Sequence, residues 1–147
     1  MAITESTRAK LLAYLARGDI AGAITMYEVH TGQQAPGWLR NLQVAYSAAS
    51  QLPGKCQDVA RAIHQALSQL GKGPEYVAFR VQGQGYMIFE FADGKQVSVS
   101  RTGYHVAVKL GDIIHDAYTG PLGMNLSEYL SRLHAVDPIT WELITNP

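Results

Sequence analysis

Tyr104-His105-Val106-Ala107-Val108-Lys109-Leu110-Gly111-Asp112-Ile113-Ile114-His115-Asp116-Ala117-Tyr118 reads as two apolar-rich runs flanking a Gly-Asp pair. A two-residue loop that opens on glycine suits a type II′ turn, whose twist matches that of paired strands. The register follows from the turn: Leu110 lies opposite Ile113, Val108 opposite His115, Ala107 opposite Asp116 and His105 opposite Tyr118. Side chains alternate across a strand, so His105, Ala107, Ile114, Asp116 and Tyr118 share one face. His105 and Asp116 are then diagonal neighbours, roughly 7 Å apart at the backbone and within side-chain reach. His115 adjoins Asp116 in sequence but points to the opposite face.

Upstream of this hairpin the chain changes period. Thr4 or Ser6 can cap a helix carrying Leu11, Leu12 and Leu15 that stops at Gly18. Asp19 caps a second, with Ile20, Ala23, Ile24 and Tyr27 on one face and Gly32 as its stop. A third runs from about Pro36 through Leu39, Leu42, Ala45, Tyr46 and Ala49 until Pro53. A fourth starts near Cys56 and ends at Gly71, with Val59, Ala60, Ile63, Leu67 and Leu70 on one stripe. Gln57, Arg61, His64 and Ser68 fall on its polar side. Further strands are read at Tyr76 to Val81, Tyr86 to Phe91, Gln96 to Val99 and, as an edge strand, Ile139 to Ile144. Gly83-Gln84-Gly85 and Asp93-Gly94 are the turns, and a last helix spans Leu126 to His134, capped by Asn125. Helices first and an antiparallel meander afterwards indicate an α+β fold, a helical cluster with its cysteine-bearing helix packed on an antiparallel sheet.

The chain has 147 residues, enough for one domain with a real core. Its 47% hydrophobic and 16% charged residues are those of a globular chain. A formal net charge of zero offers no general attraction for nucleic acid or an anionic membrane, so neither is expected as a partner. Met1-Ala2-Ile3-Thr4-Glu5-Ser6 lacks a basic start followed by an apolar run, so no secretory signal and a cytoplasmic site of synthesis are expected. No metal and no cofactor is expected, because none of the five histidines stands at ligand spacing from another donor.

Cys56 is the only cysteine, which excludes an internal disulfide framework. A lone cysteine is more often a small buried hydrophobe than a nucleophile. Helix onset at Cys56 would nevertheless favour a thiolate, and the free N–H groups of a first turn can receive an oxyanion. With His105 as base and Asp116 to orient it, these are the parts of a cysteine acyl-transfer site. His64, His30 and His134 read as surface residues.

Cys56 with Asp58, Ala60 and Leu67, then His105-Val106-Ala107-Val108, then Ile114-His115-Asp116-Ala117-Tyr118-Thr119-Gly120, resembles the papain-fold toxin domains of bacterial polymorphic toxin systems. Those domains pair a helix-start cysteine with a His-hydrophobic-x-hydrophobic strand and an Asp-x-x-Thr-Gly strand end. The resemblance covers residues 54 to 130. It implies a papain-like catalytic core at 53–147 beside a helical part at 1–52. It also implies Cys56 as nucleophile, His105 as base and Asp116 as orienting carboxylate. Gln51, five residues before Cys56, is the oxyanion candidate by the same likeness, with Gln43 and Gln57 competing. Such domains are linked to peptide-bond hydrolysis or glutamine deamidation. The implied partners are a protein substrate and a cognate immunity protein, and the implied destination is another cell. The competing expectation is a catalytically silent interaction module in which Cys56 is merely core.

Overall fold

The computed structural model describes residues 3–83 and 85–147. Met1 and Ala2 of the opening stretch, and Gln84 of the Gly83-Gln84-Gly85 turn, lie outside the described residues. The fold is mixed α+β, with five α-helices and two antiparallel sheets.

Four helices come first: α1 (Glu5–Leu15), α2 (Ile20–Thr31), α3 (Gly37–Ala45) and α4 (Cys56–Gln69). Thr4 caps α1 by accepting from the Thr7 N–H at 3.1 Å, and Asp19 caps α2 by accepting from the Gly22 N–H at 2.8 Å. Helix α3 ends at Ala45, well short of the expected Pro53, and only a single 3-10 turn, Ala48–Ser50, follows. The Ser47 and Ser50 hydroxyls both donate to the Val44 carbonyl at 2.7 Å. Side-chain donors thereby take the place of the next helical N–H. The helices meet on Leu11, Ala23, Leu39, Ala60 and Ile63, all fully buried.

The strands do not form the meander read from the sequence. Strand β1 (Glu75–Val81) pairs with β4 (Tyr104–Leu110) and β8 (Ile139–Ile144), and β5 (Ile113–His115) and β6 (Met124–Asn125) complete a central sheet ordered β6-β5-β4-β1-β8. Strands β2 (Met87–Glu90) and β3 (Gln96–Ser100) leave that sheet and join β7 (Leu133–His134) in a second one. Met87, Phe89 and Val99 are fully buried, so the second sheet covers apolar surface that a single flat meander would leave in water. Helix α5 (Leu126–Arg132) stops two residues before the expected end, because Leu133 and His134 pair with Phe89 and Ile88 instead.

The hairpin register holds: Leu110 pairs with Ile113 and Val108 with His115. The second strand is shorter than expected, however, and Asp116 already belongs to a turn. Its carboxylate Oδ1 accepts from the N–H groups of Tyr118 and Thr119, at 2.8 and 3.0 Å, and the Thr119 hydroxyl accepts from the Asp116 N–H at 3.1 Å. An aspartate that captures the backbone two and three residues on ends a strand as readily as it ends a helix.

The central sheet therefore has two distinct faces. Tyr76, Ala78, Val106, Val108 and His115 face the helices: His64 of α4 stacks on Tyr76 at 4.3 Å, and Ile63, Leu67 and His115 line one small void. Phe79 and His105 face the second sheet and α5, where Tyr129 packs 5.0 Å from Phe79 and 5.7 Å from Phe89. The body of α4 thus lies on the face opposite His105, against Tyr76, Val106 and Val108. The second sheet and α5 occupy the Phe79 face, which leaves the face of Val106 and Val108 open to the apolar stripe of α4.

One close approach decides how β4 enters the sheet. Gly103 has φ +80°, its carbonyl accepts from the Val81 N–H at 2.9 Å, and a Cβ there would stand 3.3 Å from the Gly83 and Gly85 carbonyl oxygens. Gly103→Ala is therefore expected to lower stability by about 1–2 kcal/mol from the left-handed backbone alone, with crowding in addition. The urea midpoint measures it, and an unchanged midpoint would mean that the backbone at residue 103 relaxes out of the left-handed region.

Candidate active site

Cys56 is the first residue of α4, reached through Pro53 and a left-handed Gly54 at φ +90°. Its helix differs from α1, α2 and α5 in having no side-chain cap: Lys55 occupies the N-cap with no bond from its side chain. The first-turn N–H groups of α4 consequently keep their hydrogen-bonding capacity for another acceptor.

The sulfur lies where α4 passes the start of β4. Strand β5 pairs only with Val108 to Leu110, so Val106 is beyond its reach, and the Val106 N–H is left beside the sulfur, where it favours the thiolate. The Gln57 N–H does the same from the helix side. The Gln57 carboxamide oxygen stands 3.7 Å from the sulfur. Only the head of α4 thus crosses from the helical face of the sheet to the level of His105.

His105 is 1% exposed and Asp116 2%. Imidazole Nε2 and carboxylate Oδ2 are 3.0 Å apart, so this nitrogen carries the donated proton. The remaining nitrogen, Nδ1, is buried and has no aligned hydrogen-bond partner; the group coupled to it is the Cys56 thiol. A contact not yet aligned is ordinary for a catalytic pair without substrate. Burial works against the charged imidazolium, but the hydrogen bond to Asp116, the neighbouring Cys56 sulfur and the negative charge of both groups outweigh it and raise the His105 pKa to about 9. Burial also works against a thiolate at Cys56. There the hydrogen bond and charge of His105, with the Val106 and Gln57 N–H groups, prevail and hold the thiol below its ordinary range. The two shifts describe one object, a thiolate–imidazolium pair that titrates as a unit.

Asp116 is saturated. Oδ1 accepts two backbone N–H groups, and Oδ2 accepts His105 Nε2 and the Tyr129 hydroxyl, the latter at 2.5 Å. Tyr129 was legible in the sequence as a core-facing residue of the last helix, on a stripe with Leu126 and Leu133. Its hydroxyl contact was not, because nothing in that spacing says what lies opposite. Tyr129→Phe should lower stability by about 1.5–3 kcal/mol, the range for a hydrogen bond to a charged group. Thermal denaturation reads this, and a change within error would mean that water replaces the hydroxyl.

Gln51, expected as an oxyanion donor, is turned elsewhere. Its amide nitrogen donates to the Ala117 carbonyl at 2.9 Å, and it is not among the residues that line the cysteine cleft. The early end of α3 is the cause, since the 3-10 turn carries Gln51 onto the loop that holds Asp116. Gln57 is the glutamine that meets the sulfur. His115 contacts Tyr46 on the helical side, with Nδ1 3.4 Å from the hydroxyl, and takes no part in the cluster. His64 is on Tyr76, His30 is 3.2 Å from Lys10 Nζ, and His134 is 2.9 Å from Glu90. Among the described residues no three His, Cys, Asp or Glu side chains gather to hold a metal ion.

Cys56 opens on a cleft of about 340 Å³ between Pro53-Gly54 and the β3–β4 loop. That loop is stiff: the Ser100 hydroxyl accepts from the Thr102 and Tyr104 N–H groups at 3.2 Å and donates to the Tyr104 carbonyl at 2.8 Å. The cleft gives a carbonyl compound access to the sulfur. No protein-family model matches this chain, and no curated protein or solved structure matches it either. No helix among the described residues is long and apolar enough to cross a membrane.

Proposed function

We propose that this protein is a papain-like cysteine hydrolase that acts on a carboxamide or peptide bond of a protein, as a glutamine deamidase or protease. The observation that carries the reading is the buried His105–Asp116 pair, with its free nitrogen coupled to a thiol at the uncapped head of α4. Desolvated structural ion pairs exist, but a structural pair has no need of a thiol opening on a cleft.

In this mechanism the Cys56 thiolate forms a C–S bond to the carbonyl carbon, and the oxygen takes up the negative charge beside the Gln57 N–H and the rest of the first turn. The C–N bond then breaks as His105 Nδ1 passes its proton to the departing amine or ammonia. Water, deprotonated by the now neutral His105, attacks the thioester, and the carboxylic acid leaves as the thiol returns. Asp116 holds the imidazole in the tautomer with Nε2–H and stabilises its positive charge. The resemblance to bacterial toxin domains makes a toxin or effector role, delivery into another cell and a cognate immunity protein parts of the same proposal.

The test is a proteome comparison. A cell extract treated with the protein should gain deamidated glutamines or new chain ends that are absent after treatment with Cys56→Ala. Identical extracts, together with sluggish alkylation of Cys56, would leave the interaction module as the better reading.

A further inference from the structure

A cavity of about 730 Å³ lies apart from Cys56. It lies behind the β3–β4 loop and shares one lining residue with the cysteine cleft, Arg101. Its walls include Val81, Ile88, Tyr86 and Val136. Tyr86 is 66% exposed and Val136 fully so, although both are large apolar side chains at the rim of a concave site. Apolar groups left in water around a cavity of ligand size mark a binding surface. Arg101 is exposed on the ridge between the two cavities, and among the described residues its guanidinium makes no hydrogen bond or ion pair. Gly103 lets Gly83 and Gly85 pack directly on the loop.

We propose that the substrate is a polypeptide that crosses this ridge, with its reactive carboxamide at Cys56 and a bulky apolar side chain in the larger cavity. Arg101 meets the backbone carbonyls between them. Two cavities separated by a ridge of donors suit a chain with side chains at intervals and do not suit a compact small molecule. The inference rests on the acyl-transfer reading of the cleft, and the experiment separates the two.

Peptidyl vinyl sulfones would be compared in which phenylalanine or leucine stands one, two or three residues from the electrophile, against serine at the same places. The best apolar probe should alkylate Cys56 about tenfold faster or more than its serine counterpart, in keeping with the selectivity of a hydrophobic pocket. Tyr86→Ser and Val136→Asp should each erode that preference while leaving the iodoacetamide rate unchanged, since both side chains are exposed and neither supplies the core. Equal rates for apolar and serine probes, with rapid iodoacetamide labelling, would overturn the subsite and leave the cysteine centre standing. A preference that survives both variants would place the subsite elsewhere and equally overturn it. Slow iodoacetamide labelling of the wild-type protein would overturn both readings together.

Discussion

At pH 6, replacing His105 with alanine or glutamine should slow iodoacetamide alkylation of Cys56 by at least about tenfold. A thiol returned to an ordinary pKa of about 8.5 is only about 0.3% ionised at that pH. The paired thiolate is more ionised, its pKa being lowered by His105, and part of that advantage is offset because a low-pKa thiolate is a weaker nucleophile. Turnover of a protein substrate should fall by orders of magnitude in the same variants and in Cys56→Ala, since the members of such a unit act together. His105 is fully buried, so its alanine variant leaves a void and an orphaned carboxylate partner; glutamine fills most of the space, and circular dichroism at the assay pH confirms that both remain folded. The pH profiles carry a second signature. Alkylation should rise as pH climbs through the lowered thiol pKa and should not fall again. Turnover needs the imidazolium to protonate the leaving nitrogen and should decline above about 9, where His105 loses its proton. The stabilisation from protonated His105 has the same sign: it is fully present below its unfolded value of 6.5 and is lost as pH rises through about 9. Alkylation with the pH dependence of an ordinary thiol would remove the basis for the pair.

Asp116→Asn should lower turnover by about 10³- to 10⁴-fold, less than loss of Cys56 does, while keeping the fold. Oδ1 accepts two backbone N–H groups, so the asparagine oxygen must occupy that position and its NH₂ must face His105 Nε2 and the Tyr129 hydroxyl. An NH₂ group can only donate, which forces Nε2 to accept and moves the imidazole proton to Nδ1. The nitrogen facing Cys56 then cannot take the thiol proton. Asp116→Ala would be more damaging to the fold, because it orphans four buried donors at once, each worth about 1–3 kcal/mol. His64→Ala and His115→Ala, by contrast, should leave the alkylation rate near that of the wild type. Wild-type turnover in Asp116→Asn with loss in His115→Ala would mean that the hairpin register in solution is slipped by one residue.

Much of this centre is written in local sequence. The Gly111-Asp112 turn sets the hairpin register, and a period of two then puts His105 and Asp116 on one face without reference to the rest of the chain. Pro53-Gly54 ahead of an amphipathic stripe likewise places Cys56 at a helix start. These readings succeed because turn chemistry and side-chain periodicity act over a few residues. Local pattern fails where two segments compete for one partner. Residues 116–118 carry strand-like composition, yet the Asp116 side chain captures the N–H groups of Tyr118 and Thr119 and turns the chain. Leu133 and His134 continue a helical stripe, yet they find a strand partner in β2.

Tertiary structure alone decided the rest. Which face of the sheet α4 covers is not encoded in the helix, whose stripe suits either apolar face; it is settled because β2, β7 and α5 occupy the face of Phe79. Cys56 consequently reaches His105 past the end of β5 and not across a sheet face. Gln51 could have served as an oxyanion donor by distance along the chain, but the hydroxyls that close α3 send it to Ala117. The sequence by itself therefore determined that Cys56, His105 and Asp116 are the candidate trio, since their types and short-range order follow from nearest neighbours. Their convergence on one sulfur depends on packing between residues 49 and 60 positions apart, where many arrangements share the same local pattern and only the burial of the whole core chooses among them.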